Sequence, residues 1–162
     1  MNLNKNNFYR GNWGPADIIG AATVTLIKGE WKTIGEVVVP ADQLIGLGYG
    51  GYGTQDAAPG RMYVELMDNT VTPVAITGQF RIEIQSSNDM PLGGRPVLID
   101  YDLATTALGA TNRTERLPLP FANVMLSKDK KFVFKVKNNA SSAQTLSQAN
   151  SSVEIDITKQ LV

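Results

Sequence analysis

A chain of 162 residues and 17.5 kDa has the length of one ordinary domain. With 43% hydrophobic residues it can bury a core, while 15 basic and 15 acidic residues cancel, which disfavours a strongly cationic nucleic-acid binder. Cys and His are both absent, so disulfides, thiol nucleophiles, Cys/His zinc sites and imidazole bases are excluded together. In chain order, residues 1–15 read as a polar arm without the apolar run of a signal peptide. The arm places Lys5 and Arg10 beside Phe8, Tyr9 and Trp13, and Gly14-Pro15 separates it from the next segment.

Residues 16–162 read as a single domain whose hydrophobic period is two. Ala22, Val24 and Leu26 share a face ahead of the Lys28-Gly29 turn, and the β-branched run Thr33 to Val39 is closed by Pro40. Met62, Val64 and Leu66 alternate with polar residues until Asp68-Asn69, and Phe80, Ile82 and Ile84 alternate with Arg81, Glu83 and Gln85. Val97, Ile99 and Tyr101 form another face, and Phe121 to Leu126 follows Pro118 and Pro120. Phe132, Phe134 and Val136 oppose Lys131, Lys135 and Lys137; Val153, Ile155 and Ile157 alternate with Glu154, Asp156 and Thr158. Helical signal is limited to single turns at Pro40 to Leu44 and Asp102 to Gly109. The pattern predicts an all-β domain, a single eight-stranded antiparallel β-sandwich of jelly-roll type.

Chemistry finds little purchase. Gly46 to Gly60 is Gly-rich but leads into a strand, so it lacks the helix N-terminus that a dinucleotide site requires. It reads as a surface loop in which Tyr49 and Tyr52 offer amphipathic contact area to a neighbouring protein. Asp68, Asp89, Asp100 and Asp102 read as solvated carboxylates, because no loop supplies the oxygens a hard cation needs; the alternatives are a structural cation and a catalytic carboxylate pair, whose spacing is spatial rather than sequential. Serine nucleophiles have neither a His partner nor a G-x-S-x-G elbow. No cofactor, metal or small-molecule substrate is expected, and no apolar stretch is long enough for a membrane helix. Lys131, Lys135 and Lys137 project from one strand face; they read either as a guarded sheet edge or as a weak nucleic-acid or neighbour contact. Asn112, Asn139 and Asn150 begin triplets of the glycosylation type, read here as chance in a chain rich in Asn, Ser and Thr.

The strands Ile34 to Ala41, Gly60 to Asp68 and Gly78 to Ile84, the Leu117-Pro118-Leu119-Pro120 segment and the final Val153 to Thr158 strand carry a resemblance. In their order they resemble small single jelly-roll capsid proteins of icosahedral viruses and, less closely, the decoration proteins of tailed phages. The resemblance implies a non-enzymatic shell-forming subunit of the virion, assembled in the host cytoplasm, with copies of itself or other capsid proteins as partners. Two alternatives are a capsid decoration protein and a carbohydrate- or surface-binding sandwich that stacks ligands on Tyr49, Tyr52, Tyr63, Trp13 and Trp31. Because a polar arm of this length cannot form its own core, it is expected to pack on an adjacent subunit. Phe8, Tyr9 and Arg10 would then touch the neighbour and Trp13 would anchor it.

Overall fold

A computed structural model of the chain describes residues 8–48, 60–86, 97–103, 117–118 and 125–162. The elements are β1 (Phe8–Trp13), α1 (Pro15–Ile18), β2 (Thr23–Leu26), β3 (Trp31–Val38), β4 (Gln43–Leu47) and β5 (Arg61–Asp68). They continue with β6 (Gly78–Ser86), β7 (Val97–Asp102), β8 (Leu117–Pro118), β9 (Lys130–Asn138) and β10 (Gln144–Leu161). All strand ladders are antiparallel. One sheet runs β1-β10-β5-β8, with β2 and β4 also on β10; the other runs β3-β9-β6-β7.

Setting β1 and β4 aside leaves β2-β10-β5-β8 facing β3-β9-β6-β7. Successive strands cross between the sheets in the order of two nested Greek keys, which is the jelly roll. The expected sandwich is therefore present, enlarged by two strands. One addition comes from the arm: β1 pairs β10 in continuous register from Phe8↔Gln160 to Trp13↔Ile155. The other, β4, starts within the segment read as a helical turn at Pro40 to Leu44; its pairing with β10 from Gln43↔Leu161 to Leu47↔Ile157 overrides that local reading. The second such turn, Asp102 to Gly109, and the strand expected at Phe121 to Leu126 fall largely outside the described residues.

The alternation in the sequence matches the two inner faces. Phe80, Ile82, Phe132, Phe134, Val136 and Ile155 are fully buried between the sheets. Trp13 crosses the gap, its ring meeting Phe132 at 5.1 Å and Phe134 at 5.7 Å in edge-on contacts. Phe80 stacks on Phe134 at 6.3 Å. Rings of this size each contribute about 1.5–3 kcal/mol by burial, and they join buried aliphatic residues such as Ile18, Leu26, Ile82 and Ile155 in one core between the sheets.

The short helix is specified locally. Pro15 sets the first turn, and the Asp17 carboxylate accepts the Gly14 N–H at 3.0 Å. After it, the chain passes so close to β3 that a Cβ on Gly35 would overlap the Ile18 carbonyl, while Gly20 N–H donates to Ile34 O at 2.9 Å. Only glycine permits that approach.

Candidate assembly surfaces

The residues singled out from the arm divide between core and surface. Trp13 is 5% exposed and sits inside its own domain. This overturns its expected role as an anchor on a neighbour, because the ring is consumed by Phe132 and Phe134 of the same chain. Phe8 opens β1 opposite Gln160. Tyr9, opposite Lys159, is 51% exposed, and Arg10, opposite Thr158, lies at the surface.

Tyr49 and Tyr52 lie outside the described residues, but both ends of their segment are fixed to β10. Gly48 N–H donates to Asp156 O at 2.8 Å, and the Thr158 hydroxyl donates to Gly48 O at 2.6 Å. On the returning side, the Asp156 carboxylate accepts the Arg61 N–H at 2.8 Å. Both side chains are buried, Asp156 at 4% and Thr158 at 2% exposure. They close the gap where β10 passes from β5 to β4 as a partner. In the sequence Asp156 and Thr158 look like ordinary outward residues of an alternating strand, so nothing there signalled the clamp.

The lysine row lies on the outer face of the four-stranded sheet, and its charge is matched. Lys131 Nζ is 2.7 Å from Glu36, and Lys135 Nζ is 2.9 Å from Glu83. Lys137 lies in register between Trp31 and Gln79. Arg81 grips Asp100 through two hydrogen bonds at 3.1 and 3.0 Å, approaches Glu83 at 3.7 Å, and covers the Trp31 ring at 4.0 Å. Gln79 and Gln85 donate to Asp102 and Glu83 at 3.3 and 3.2 Å. Hydrogen bonding to Asp100 raises the Arg81 pKa, against an opposing push from burial. For Glu83, burial pushes its pKa up, but the hydrogen bonds from Lys135 and Gln85 with the charges of Lys135 and Arg81 outweigh it and hold the carboxyl low.

Lys131 and Lys135, read from the sequence as nucleic-acid or neighbour contacts or a guarded edge, each face a carboxylate from an adjacent strand. The same lattice explains Asp100 and Asp102, which are partnered by Arg81 and Gln79 rather than gathered around an ion. Asp68 caps a turn instead, accepting the Thr70 hydroxyl at 2.7 Å and the Val74 N–H at 2.9 Å. Asp89 lies outside the described residues. Among the described residues, no group of three or more His, Cys, Asp or Glu side chains is placed to hold a metal ion. No helix among them is long and apolar enough to cross a membrane. Among the described residues, the aromatics expected to form a stacking platform do not converge: Trp13 is in the core, Tyr63 is 7% exposed, and Arg81 covers Trp31.

No family model matches the chain, and no curated protein matches it. Solved structures do. A chain of the VP16-VP17 complex, a complex of the two major capsid proteins of bacteriophage P23-77, aligns over 96% of this chain and 99% of its own. That match has a TM-score of 0.56 at 10% identity. VP17, a capsid protein of the same phage, aligns over 95% of this chain and 96% of its own with a TM-score of 0.53 at 10% identity. The chain thus shares the fold of these two capsid proteins over nearly its whole length, at 10% sequence identity.

Proposed function

We propose that the protein is a viral capsid subunit that builds a shell through repeated protein contacts and carries out no catalysis. The observation that carries this reading is the reciprocal, near-complete match to capsid proteins, at 96% of this chain and 99% of the other. A domain that merely shared a sandwich core would leave insertions unmatched on one side. The charge-matched outer face supports the same reading, because its carboxylates are engaged with cations or amides rather than poised as acid and base. The partners are copies of this chain and other capsid proteins, and the destination is the virion after assembly in the host cytoplasm. Tyr9 and Arg10 at the edge strand, with Phe8 beside them and Tyr49 and Tyr52 on their pinned segment, supply contacts to neighbours.

Electron microscopy of native particles, with the chain located by a labelled antibody, tests this. A closed lattice containing many copies is the expected result. Sparse knobs on another protein's lattice would reassign the chain to decoration, and its absence from all particles would defeat the reading.

A further inference from the structure

Six stretches of ten or more residues carry no charge, although 19% of the chain is charged, and three of them are 18–27, 69–80 and 138–153. Distant in sequence, these three meet at one end of the sandwich. β2 pairs β10 from Thr23↔Ser147 to Leu26↔Gln144, and the Gln148 amide donates to Ile19 O at 2.6 Å. Asn69 N–H donates to Thr145 O at 3.0 Å and Asn139 N–H to Thr77 O at 2.9 Å. The topology thereby assembles a cap from three uncharged stretches, with Lys28 opposite Asn138 and Asp68 opposite Leu146 at its border.

The cap is exposed and rigid. Each stretch contributes six exposed residues, and the aliphatic ones include Ile27 at 56%, Val71 at 104% and Val74 at 54%. Asp68, at its border, fixes the turn that lifts Val71 into solvent. Asn138, fully buried beneath it, donates to Leu26 O and Ser142 O and accepts the Ala140 N–H. A surface already held in shape loses little freedom on docking. Its edge is also unguarded: β10 is the only strand paired with β2 among the described residues, and Thr23–Leu26 has neither the Lys nor the Pro that discourages edge pairing.

Charge depletion marks the buried centre of protein interfaces. It also says something about the occupant. A patch that meets itself across a twofold axis brings the residues at the axis against their own copies, so a charge of either sign there repels its mate. A patch built for a different protein is free to use complementary charge instead. We propose that the cap is a self-association surface, docking across a twofold axis on the same cap of a second copy of this chain. Its place in a particle rests on the shell-building role; the pairing itself does not.

The cysteine-free sequence makes the test clean. A Val71→Cys variant of the full chain, treated with a short bis-maleimide, should yield a covalent dimer. Thr33→Cys, on the charged face, should not. In sedimentation equilibrium, Val71→Glu and Thr25→Lys should each weaken self-association by about tenfold or more, and Thr33→Glu should leave it unchanged. All three sites are exposed, so unchanged thermal melting will confirm that the variants fold. A wild-type chain that stays monomeric, or cap variants that associate like wild type, overturns the proposal. A monomer nevertheless found in particles would remove the self-pairing and keep the shell role; a dimer absent from all particles would do the reverse.

Discussion

On the outer face of the four-stranded sheet, Glu36, Glu83 and Asp100 each face a cation within 3.0 Å. At the end of the same sandwich, 18–27, 69–80 and 138–153 present no charge at all. Both surfaces avoid an unmatched charge, one by pairing it and the other by omitting it. The difference lies in what each tolerates as a neighbour. The open members of the paired lattice, Glu36 and Asp100 with side chains 46% and 48% exposed, gain little from being covered, because exposed ion pairs contribute only about 0–1 kcal/mol and desolvating them is expensive. An uncharged surface with rigid aliphatic tips loses little when water leaves. The two regions are therefore expected to respond differently to mutation, acid and salt.

The largest effect should come from Gly78, where the uncharged stretch passes into β6. Its φ of +142° lies outside the usual range of L side chains, and a Cβ there would overlap the Lys137 carbonyl. Gly78→Val should destabilise the chain by about 3 kcal/mol or more, read as a lost or strongly lowered Tm. A near-normal Tm would mean that cap and charged face are not rigidly joined. Next comes Asn138→Ala, which strands two carbonyls and one N–H under the cap and should cost about 2–3 kcal/mol in chemical denaturation.

Acid should then affect both regions through different groups. Glu83 on the charged face and Asp68 at the cap's border both have folded-state pKa values below their ordinary 4.5 and 3.8. For Asp68, burial pushes upward but is outweighed by hydrogen bonds from the Thr70 hydroxyl and the Val74 and Thr70 N–H groups. A carboxyl depressed in the folded state stabilises fully above its unfolded pKa and loses that contribution as pH falls through the folded value. Tm should fall on acidification, and Glu83→Gln should lower the unfolding free energy by about 1–2 kcal/mol at neutral pH while flattening the acid response. A variant as acid-sensitive as wild type would show that Glu83 is not among the groups responsible. The smallest effect belongs to Asp100→Asn, whose partner pair is partly exposed. It should cost less than about 1 kcal/mol at low salt and nearly nothing at high salt, whereas added salt should not dissociate a dimer formed through the cap.

The core faces were legible because strict alternation leaves one answer: Phe80, Ile82 and Ile84, like Phe132, Phe134 and Val136, can turn only one side inward. β1 was not. Gly11 and Asn12 are poor strand formers, and the run becomes a strand only by pairing β10 some 140 residues later, as Gly11↔Ile157 and Asn12↔Asp156. The lysines of β9 showed their shared face but not their partners, because Glu36 and Glu83 become neighbours only through cross-strand register. The cap failed for a similar reason. Each uncharged stretch is visible alone, yet their meeting is a property of topology. The Pro15 and Asp17 signals for α1 were present, but a single turn is too short for periodicity to reveal.

One element sets a condition on when the protein can exist. β10 pairs with β1, β2, β4 and β5, and it follows all of them in the chain. Until it has been synthesised, those four strands have no common partner and their edges stay unsatisfied. This sheet therefore cannot form until β10 has been synthesised, and its closing contacts span long loops, the slow regime of folding. During that interval the nascent chains expose sticky strand edges to one another. Expressed in quantity, such a chain should depend on chaperones or slow synthesis for its yield, and truncations within β10 should produce aggregate rather than a smaller soluble domain.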